Sequence, residues 1–378
     1  MVQGDAVTSQ PATLDAELAR RVPKVLLHDH LDGGVRPATA LELADDIGWS
    51  LPATDEAALQ AWFTQGADTG DILQYLATFE HTLAIMQRAD AIERIAYEAT
   101  IDLAADGVVY AEVRFAPELH QAGAERLPLD EVVAAVTSGF RRGEREVSAS
   151  GNAITVNAIC CAMRTEARSL EIARLVDRLR SWDDKVVGFD LAGAETGFPP
   201  SLHAEALAFA RATHLNVTVH ASEPPDLELI SDALAHGAHR IGHGVRLAAD
   251  TTIDDAGDLV LGPLAQHVLD HQVHLEMAPT CNVQIGAVDS VPEHPIGPFL
   301  RAGLSVGINT DNRLMSNVTP STELAAVVAG HQLTWAEIEQ VVVNAVVASF
   351  APHAERVRLV DDVITPAFSA LADPTVGV

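Results

Sequence analysis

Apolar and polar positions follow two rhythms along this chain of 378 residues. Short, nearly continuous apolar runs recur between longer stretches whose apolar positions return every three or four residues. The first pattern predicts strands buried on both faces, the second amphipathic helices. The runs are VLLHDH near 25–30, GVVYAEVRF at 107–115, AITVNAICC at 153–161 and KVVGFDLAG at 185–193. NVTVHAS at 216–222, RIGHG at 240–244, VHLEMAP at 273–279 and LSVGINTD at 304–311 bring the set to eight. Between them lie AIERIAYEATIDLAAD, SLEIARLVDRLRSW, SLHAEALAFARATH and GPLAQHVLDH, each with one apolar helical face. Eight strands alternating with helices predict an α/β fold, a parallel (β/α)8 TIM barrel. A doubly wound open sheet is the alternative. It is weakened because no Gly-x-Gly-x-x-Gly or Gly-Lys-Ser/Thr loop follows any strand.

The gap between the first two runs is long. Residues 50–90 hold two further helical stretches, DEAALQAWF and DILQYLATFEHTLAIMQ. An insertion there sits over the mouth of a barrel, so it predicts a helical lid after strand 1. Residues 1–12 read as a flexible lead-in, and 13–378 as a single catalytic domain ending in extra C-terminal helices. There is no low-complexity segment, internal repeat or interdomain linker.

Charge narrows the partners. With 24 basic against 53 acidic residues the net charge is −29, and such a surface repels a phosphate backbone. Nucleic acid is therefore set aside. The 48% hydrophobic content supports a sizeable core, but no run is long enough to span a bilayer. Cys160, Cys161 and Cys281 form no Cys-x-x-Cys pair, which suits a reducing compartment. With no signal-peptide pattern at the start, the expectation is a cytoplasmic protein. The oligomeric state is not legible.

In a (β/α)8 barrel the chemistry lies at the C-terminal strand ends. The first run ends in His28 and His30, the fifth in His220, the sixth in His243, and the eighth in Asp311 and Asn312. Residues i and i+2 of a strand share a face, so His28 and His30 present two imidazoles side by side. Each of these residues alone is also a plausible packing residue; together they converge on one rim. Three imidazoles and a carboxylate suit one Zn²⁺ with an open position for water. His243 and Asp311 are then available to orient that water and accept its proton. Glu223, three residues beyond His220, is placed as a general acid. No lysine ends the fourth run to bridge two ions, since Lys185 lies at its start, so a dinuclear site is disfavoured. His267 and His271 have helical ligand spacing but precede the seventh run, on the outer ring. They read as helix surface, as do His236, His239 and His294.

The ordered motifs VLLHDHLDGG, GVVYAEVRF, VVGFDLAGAE, VTVHASE, RIGHGVRL and INTDN resemble the adenosine deaminase family. Its members are metal-dependent barrels of the amidohydrolase superfamily that remove the 6-amino group of adenine-type substrates. The resemblance implies one zinc per chain on His28, His30, His220 and Asp311. It implies Glu223 as the acid that protonates purine N1 while zinc-activated water attacks C6, and His243 as the residue that orients the water. It further implies contacts from Asp32 to the ribose 5′-hydroxyl, from the Gly193 N–H to purine N3, and from Asn312 to N7. Ile72, Tyr75, Leu76 and Phe79 fall where the family places an apolar wall; their helical spacing equally fits plain packing. The implied reaction is hydrolysis of adenosine and 2′-deoxyadenosine to inosine and ammonia. Adenine, or a 5′-modified nucleoside such as aminodeoxyfutalosine, is the alternative substrate, and a non-catalytic nucleoside-binding relative the remote one. A cytidine-deaminase site is set aside, because it needs His-x-Glu followed by Pro-Cys-x-x-Cys, and Cys160-Cys161 has no such spacing.

Three departures from the family pattern stand out. Ser222 precedes Glu223 where the family has glycine, and Ala194 replaces an aspartate after Gly193. Asn312-Arg313 stands where Asp-Pro is usual. A carboxyl must be protonated to donate to purine N7, whereas an Asn amide donates without titrating. The swap fits purine binding; it equally fits a different ring or sugar. The role of Arg313 is open at this level.

Overall fold

All eight apolar runs become parallel strands in the structure, a computed structural model that describes residues 11–123 and 126–372. In chain order they begin with β1 (Lys24–His30), β2 (Val108–Phe115), β3 (Thr155–Met163) and β4 (Val186–Ala192). Next come β5 (Thr218–Ala221) and β6 (Arg240–His243). A short antiparallel hairpin follows, β7 (Thr251–Ile253) and β8 (Leu259–Leu261), which the apolar pattern did not signal. The last two are β9 (His274–Met277) and β10 (Val306–Ile308). The first four form one parallel sheet in sequence order; β10-β9-β6-β5 form a second.

The expected single closed ladder is thus two four-stranded sheets. At each seam only an isolated parallel bridge links them, Asp29 with Asp311 and Phe189 with Val217. Side chains take up backbone groups there. Asn309 Oδ1 accepts from the N–H groups of Leu27 and His28 at 2.8 and 3.0 Å. Asn216 Nδ2 donates to Val187 O at 2.9 Å. Arg313 is partly buried and forks onto Asp29 at 2.9 and 3.2 Å, while Thr310 Oγ1 donates to the same carboxylate at 2.8 Å. This clamp ties β1 to the segment that follows β10.

The insertion is helical, as expected, but its second stretch is broken. Helix Glu56–Ala67 is capped by Asp55, whose carboxylate accepts from Ala58 N–H at 2.9 Å. Helix Ile72–Ala77 is capped in the same way by Asp71. It stops at Thr78, whose hydroxyl donates back to Tyr75 O at 2.7 Å, and Phe79–Ile85 starts anew. After β10 the chain is helical over Pro320–His331 and Trp335–Ala348, each opened by a reciprocal threonine capping box. Residues 1–10 of the expected lead-in lie outside the described residues. Pro11 already bridges Thr334, and Ala12 N–H donates to Leu333 O at 2.8 Å, so anchoring begins before residue 13. Among the described residues no helix is long and apolar enough to cross a membrane.

The two sheets share a charged interior. Arg114 on β2 reaches Asp190 on β4 at 2.9 Å and Glu276 on β9 at 2.6 Å. Arg240 on β6 meets Glu276 at 2.6 Å and Glu112 on β2 at 2.7 Å. All five side chains are buried. Burial alone pushes the Glu276 carboxyl up, but Arg114 and Arg240 outweigh it and hold its pKa at about 2. The unfolded value is about 4.3. The stabilisation is therefore intact above that value and is lost as pH falls from there through about 2. Arg240→Met leaves two buried carboxylates short of a partner. It is expected to cost about 3–5 kcal/mol in denaturant unfolding and to raise the acid-unfolding midpoint. An unchanged midpoint would show that the guanidinium contributes no net stability.

Candidate active site

The C-terminal ends of β1, β5 and β6 and the segment after β10 meet at one point. His28 and His30 leave β1 on the same face, as alternation requires. His30 Nε2 lies 3.2 Å from His220 Nε2, and His28 Nε2 and His30 Nε2 each lie 3.3 Å from Asp311 Oδ1. One ligand atom from each of these four residues falls within 4.8 Å of all the others. Burial, and then the neighbouring positive groups, hold His28 and His30 well below the ordinary histidine pKa, so both are neutral. His28 Nδ1 lies 3.0 Å from Glu276 Oε2, which takes its hydrogen and leaves Nε2 a bare, buried lone pair without a partner. Imidazole nitrogens and a carboxylate oxygen thus crowd around the bare Nε2 of His28 at one buried point. That arrangement is unfavourable unless a cation sits among them. Ligand atoms about 2.0–2.1 Å from one tetrahedral ion lie about 3.3 Å apart, which is the spacing found here. The residues fit a single zinc-type ion.

A second group, Glu223, Cys281 and Asp311, shares Asp311 with the first. Burial pushes the Cys281 thiol well up, so it stays protonated and is the poorer ligand. Glu223 is also held well above the ordinary carboxyl range, by burial first and then by Glu195 and Asp311. This favours its protonated form, and its Oε1 lies 3.4 Å from His243 Nε2. Glu195 accepts the backbone N–H groups of Ser222 at 2.7 Å and Glu223 at 3.2 Å, fixing the turn that carries the acid.

Three non-glycine residues at these strand ends have left-handed backbones: Ser222 (φ 71°), His243 (φ 60°) and Asp311 (φ 56°). Such conformations cost of order 1–3 kcal/mol each and persist where surrounding contacts impose them. Gly193 (φ 92°) follows β4 in a region glycine adopts readily. Gly33 is required by space, because a Cβ there would fall 2.1 Å from Asn312 Oδ1.

The insertion covers the cluster. Ile72, Tyr75, Leu76 and Phe79 line one cavity together with His30, Gly193, His220, Glu223, His243, Asp311 and Asn312. The cavity lining thus includes the four apolar positions and the glutamate singled out in the sequence. Asp32 does not line that cavity. It is buried nearby with Oδ1 unpartnered, and burial pushes its carboxyl up to about 7.

Several groups around the site went unread in the sequence. Asp190 Oδ2 lies 2.9 Å from His220 Nδ1, and Glu276 plays the same part for His28. Arg114 joins these two carboxylates, and Asn282 touches His243 Nδ1. A charge in the middle of an otherwise apolar run, as in EVRF, GFDLAG and HLEMAP, was the available signal. His294, read as surface, is buried against Asn282.

The adenosine deaminase family profile matches residues 23–366. The chain belongs to the adenosine deaminase family. It is 47% identical over 360 residues to the adenosine deaminase of Mycobacterium leprae, covering 95% of this chain and 98% of that one. It is 48% identical over 363 residues to the adenosine deaminase of Mycobacteroides abscessus, covering 95% and 99%. Among solved structures, a zinc-bound amidohydrolase of Burkholderia ambifaria superposes with a TM-score of 0.80 at 23% identity, over 96% of this chain and 97% of that one. The adenine deaminase of Arthrobacter aurescens superposes at 0.78 with 24% identity, over 91% and 98%. These two bear on the fold, which is that of parallel-stranded deaminases.

The cavity beneath the cover holds only about 40 Å³. Ligand sites usually offer about 300–1,000 Å³. The cover is closed over the site, and a purine needs it to move. Backbone amides of residues 72–79 are expected to exchange with solvent faster in the free protein than with a saturating purine nucleoside. Equal exchange rates in the two states would mean that the cover does not open for binding.

Proposed function

We propose that this protein hydrolyses adenosine and 2′-deoxyadenosine to inosine and ammonia, with one zinc per chain held by His28, His30, His220 and Asp311. The observation that carries the reading is the convergence of these four ligand atoms with the buried Glu223 carboxyl under one apolar cover. When bound, zinc lowers the pKa of a coordinated water from about 15.7 to about 7 and so supplies a nucleophile at neutral pH.

The chain's own residues do the rest. Glu223 gives its proton to purine N1, which makes C6 electrophilic as the C–O bond forms. His243, its ring tilted against that of His28 with centres 4.6 Å apart, orients the attacking water. One proton of the water passes by way of a site carboxylate to the departing amino group, and the other returns to Glu223 as the C6 carbonyl forms, so adenosine and water become inosine and ammonia. The Gly193 N–H, in its left-handed turn, approaches purine N3. The Asn312 amide donates to N7, and Asp32 reaches the ribose 5′-hydroxyl once the cover has moved. Ile72, Tyr75, Leu76 and Phe79 close over the ring and exclude water. Asp190 and Glu276 hold the far nitrogens of His220 and His28, as carboxylates behind metal-bound histidines do.

The same reading makes the two sheets halves of one (β/α)8 barrel within a single catalytic domain, residues 13–378, with 50–90 as its lid. The relatives named adenosine deaminase, at 47–48% identity, favour adenosine over free adenine.

A turnover panel of adenosine, 2′-deoxyadenosine, adenine, AMP and 5′-modified nucleosides tests the substrate, read from the change in purine absorbance. Adenosine is expected to be the best substrate, with activity lost on chelation and regained with zinc. If adenine or a modified nucleoside is preferred, the substrate assignment is wrong while the chemistry survives. Glu223→Gln is expected to retain its metal and lose about 10²–10⁴-fold in kcat. Undiminished turnover would remove Glu223 from the acid role.

A further inference from the structure

Behind His243 runs a line of polar groups that starts at a donor with no freedom. The backbone N–H of Ile296 donates to His294 Nδ1 at 3.2 Å. His294 Nε2 lies 3.1 Å from Asn282 Oδ1, and Asn282 Nδ2 lies 3.1 Å from His243 Nδ1. All three side chains are at most 1% exposed, so water does not compete for these contacts. Asn282 sits in the short helix after β9 (Pro279–Gln284), and His294 lies just before helix Ile296–Arg301.

The placement of each hydrogen follows in turn. A backbone N–H cannot become an acceptor, so His294 Nδ1 must offer its lone pair. Burial keeps His294 neutral, with its pKa pushed down to about 3. A neutral imidazole carries one hydrogen, which must then be on Nε2. That hydrogen needs an acceptor, and Asn282 Oδ1 is the one in reach. The opposite orientation of the amide would set two N–H groups against each other. With its oxygen committed, Asn282 turns its NH₂ toward His243 Nδ1, which must therefore accept.

We propose that Asn282 and His294 are positioning residues that fix His243 as its Nε2–H tautomer, so that it meets the reacting water and purine as a hydrogen-bond donor. The inference rests on the deaminase reading for its catalytic meaning. His243 Nε2 faces into the site, 3.4 Å from Glu223 Oε1. A hydrogen already on Nε2 means that the imidazole cannot take the water's proton there. The proton that leaves as the C–O bond forms must go to a carboxylate of the site. His243 contributes by aiming the water and opposing negative charge as it develops, a role that depends on the hydrogen being on this nitrogen.

The hydrogen can be observed directly. Nitrogen-15 histidine spectra of the zinc-loaded full chain distinguish a protonated from an unprotonated ring nitrogen, and the His243 signals are those lost in His243→Gln. The expected pattern is a bare Nδ1 and a protonated Nε2. A protonated Nδ1 with a bare Nε2 overturns the inference, whatever the activity.

Asn282→Asp replaces the donor with an acceptor. It is expected to move the His243 hydrogen to Nδ1 and to lower kcat by at least ~10²-fold, the low end for a proton-handling group, with little change in KM. His294→Leu should lower kcat in the same manner, and His294→Gln, whose amide supplies the lost N–H, should restore it. An Asn282→Asp protein with wild-type tautomer and kcat overturns the positioning role. If any variant fails to fold, the wild-type spectrum still decides. A protein inert toward adenosine but showing the Nε2–H pattern separates failure of the substrate assignment from failure of this inference.

Discussion

The structure depends on one buried guanidinium. Arg114 lies between Asp190 and Glu276, and its terminal nitrogen also donates to Leu27 O at 2.6 Å, one residue before His28. It thereby connects β2 with β4, β9 and β1, across both sheets. The same two carboxylates reach Nδ1 of His220 and His28. Arg114 so governs which ring nitrogens of the site are free. Burying an ion pair gains little stability over apolar packing, but removing one member is expensive. The arrangement is best understood as positioning. It directs bare imidazole nitrogens to one point and keeps carboxylates ionised behind them.

Strain and burial act on the same few residues. Ser222, His243 and Asp311 are held in left-handed backbones at three different strand ends, and each aims a side chain at, or flanks, the cluster. At Asp311 the ladder also gives way to an isolated bridge with Asp29. β10 is only three residues long, and the seam beside it is held by Asn309 and the Arg313–Asp29 clamp. Polar side chains that satisfy backbone groups at the seam allow Asp311 to turn inward where a continued strand would have carried it past the site.

Much of this was legible in the chain, for physical reasons. Strands buried on both faces leave continuous apolar runs, so all eight were visible, and polar residues at their ends stood out against that background. His28, His30, His220 and Asp311 were found this way, and the structure brings them together. The wall residues Ile72, Tyr75, Leu76 and Phe79 have a spacing shared by any packed helix; only the fold shows which way they face. Asp190, Glu276 and Arg114 announced themselves as charges inside apolar runs, but their pairing joins strands far apart in sequence. Asn282 and His294 carried no periodic signal at all. The seams were illegible too, since whether a ladder closes depends on side chains competing for backbone groups.

Closure of the cover and the chemistry beneath it are one physical state. Burial beside Glu195 and Asp311 favours the protonated form of Glu223, and burial favours the neutral forms of His28 and His30. Each pKa unit corresponds to about 1.36 kcal/mol, so hydration of the site acts directly on its proton inventory. An open cover admits substrate but lets water solvate the Glu223 carboxylate, which favours loss of its proton. Closing over a flat apolar purine restores burial without supplying a competing charge. The apolar wall therefore does more than grip the ring. It makes the acid weak enough to stay protonated until a purine is in place, and it links recognition of the base to readiness for proton transfer.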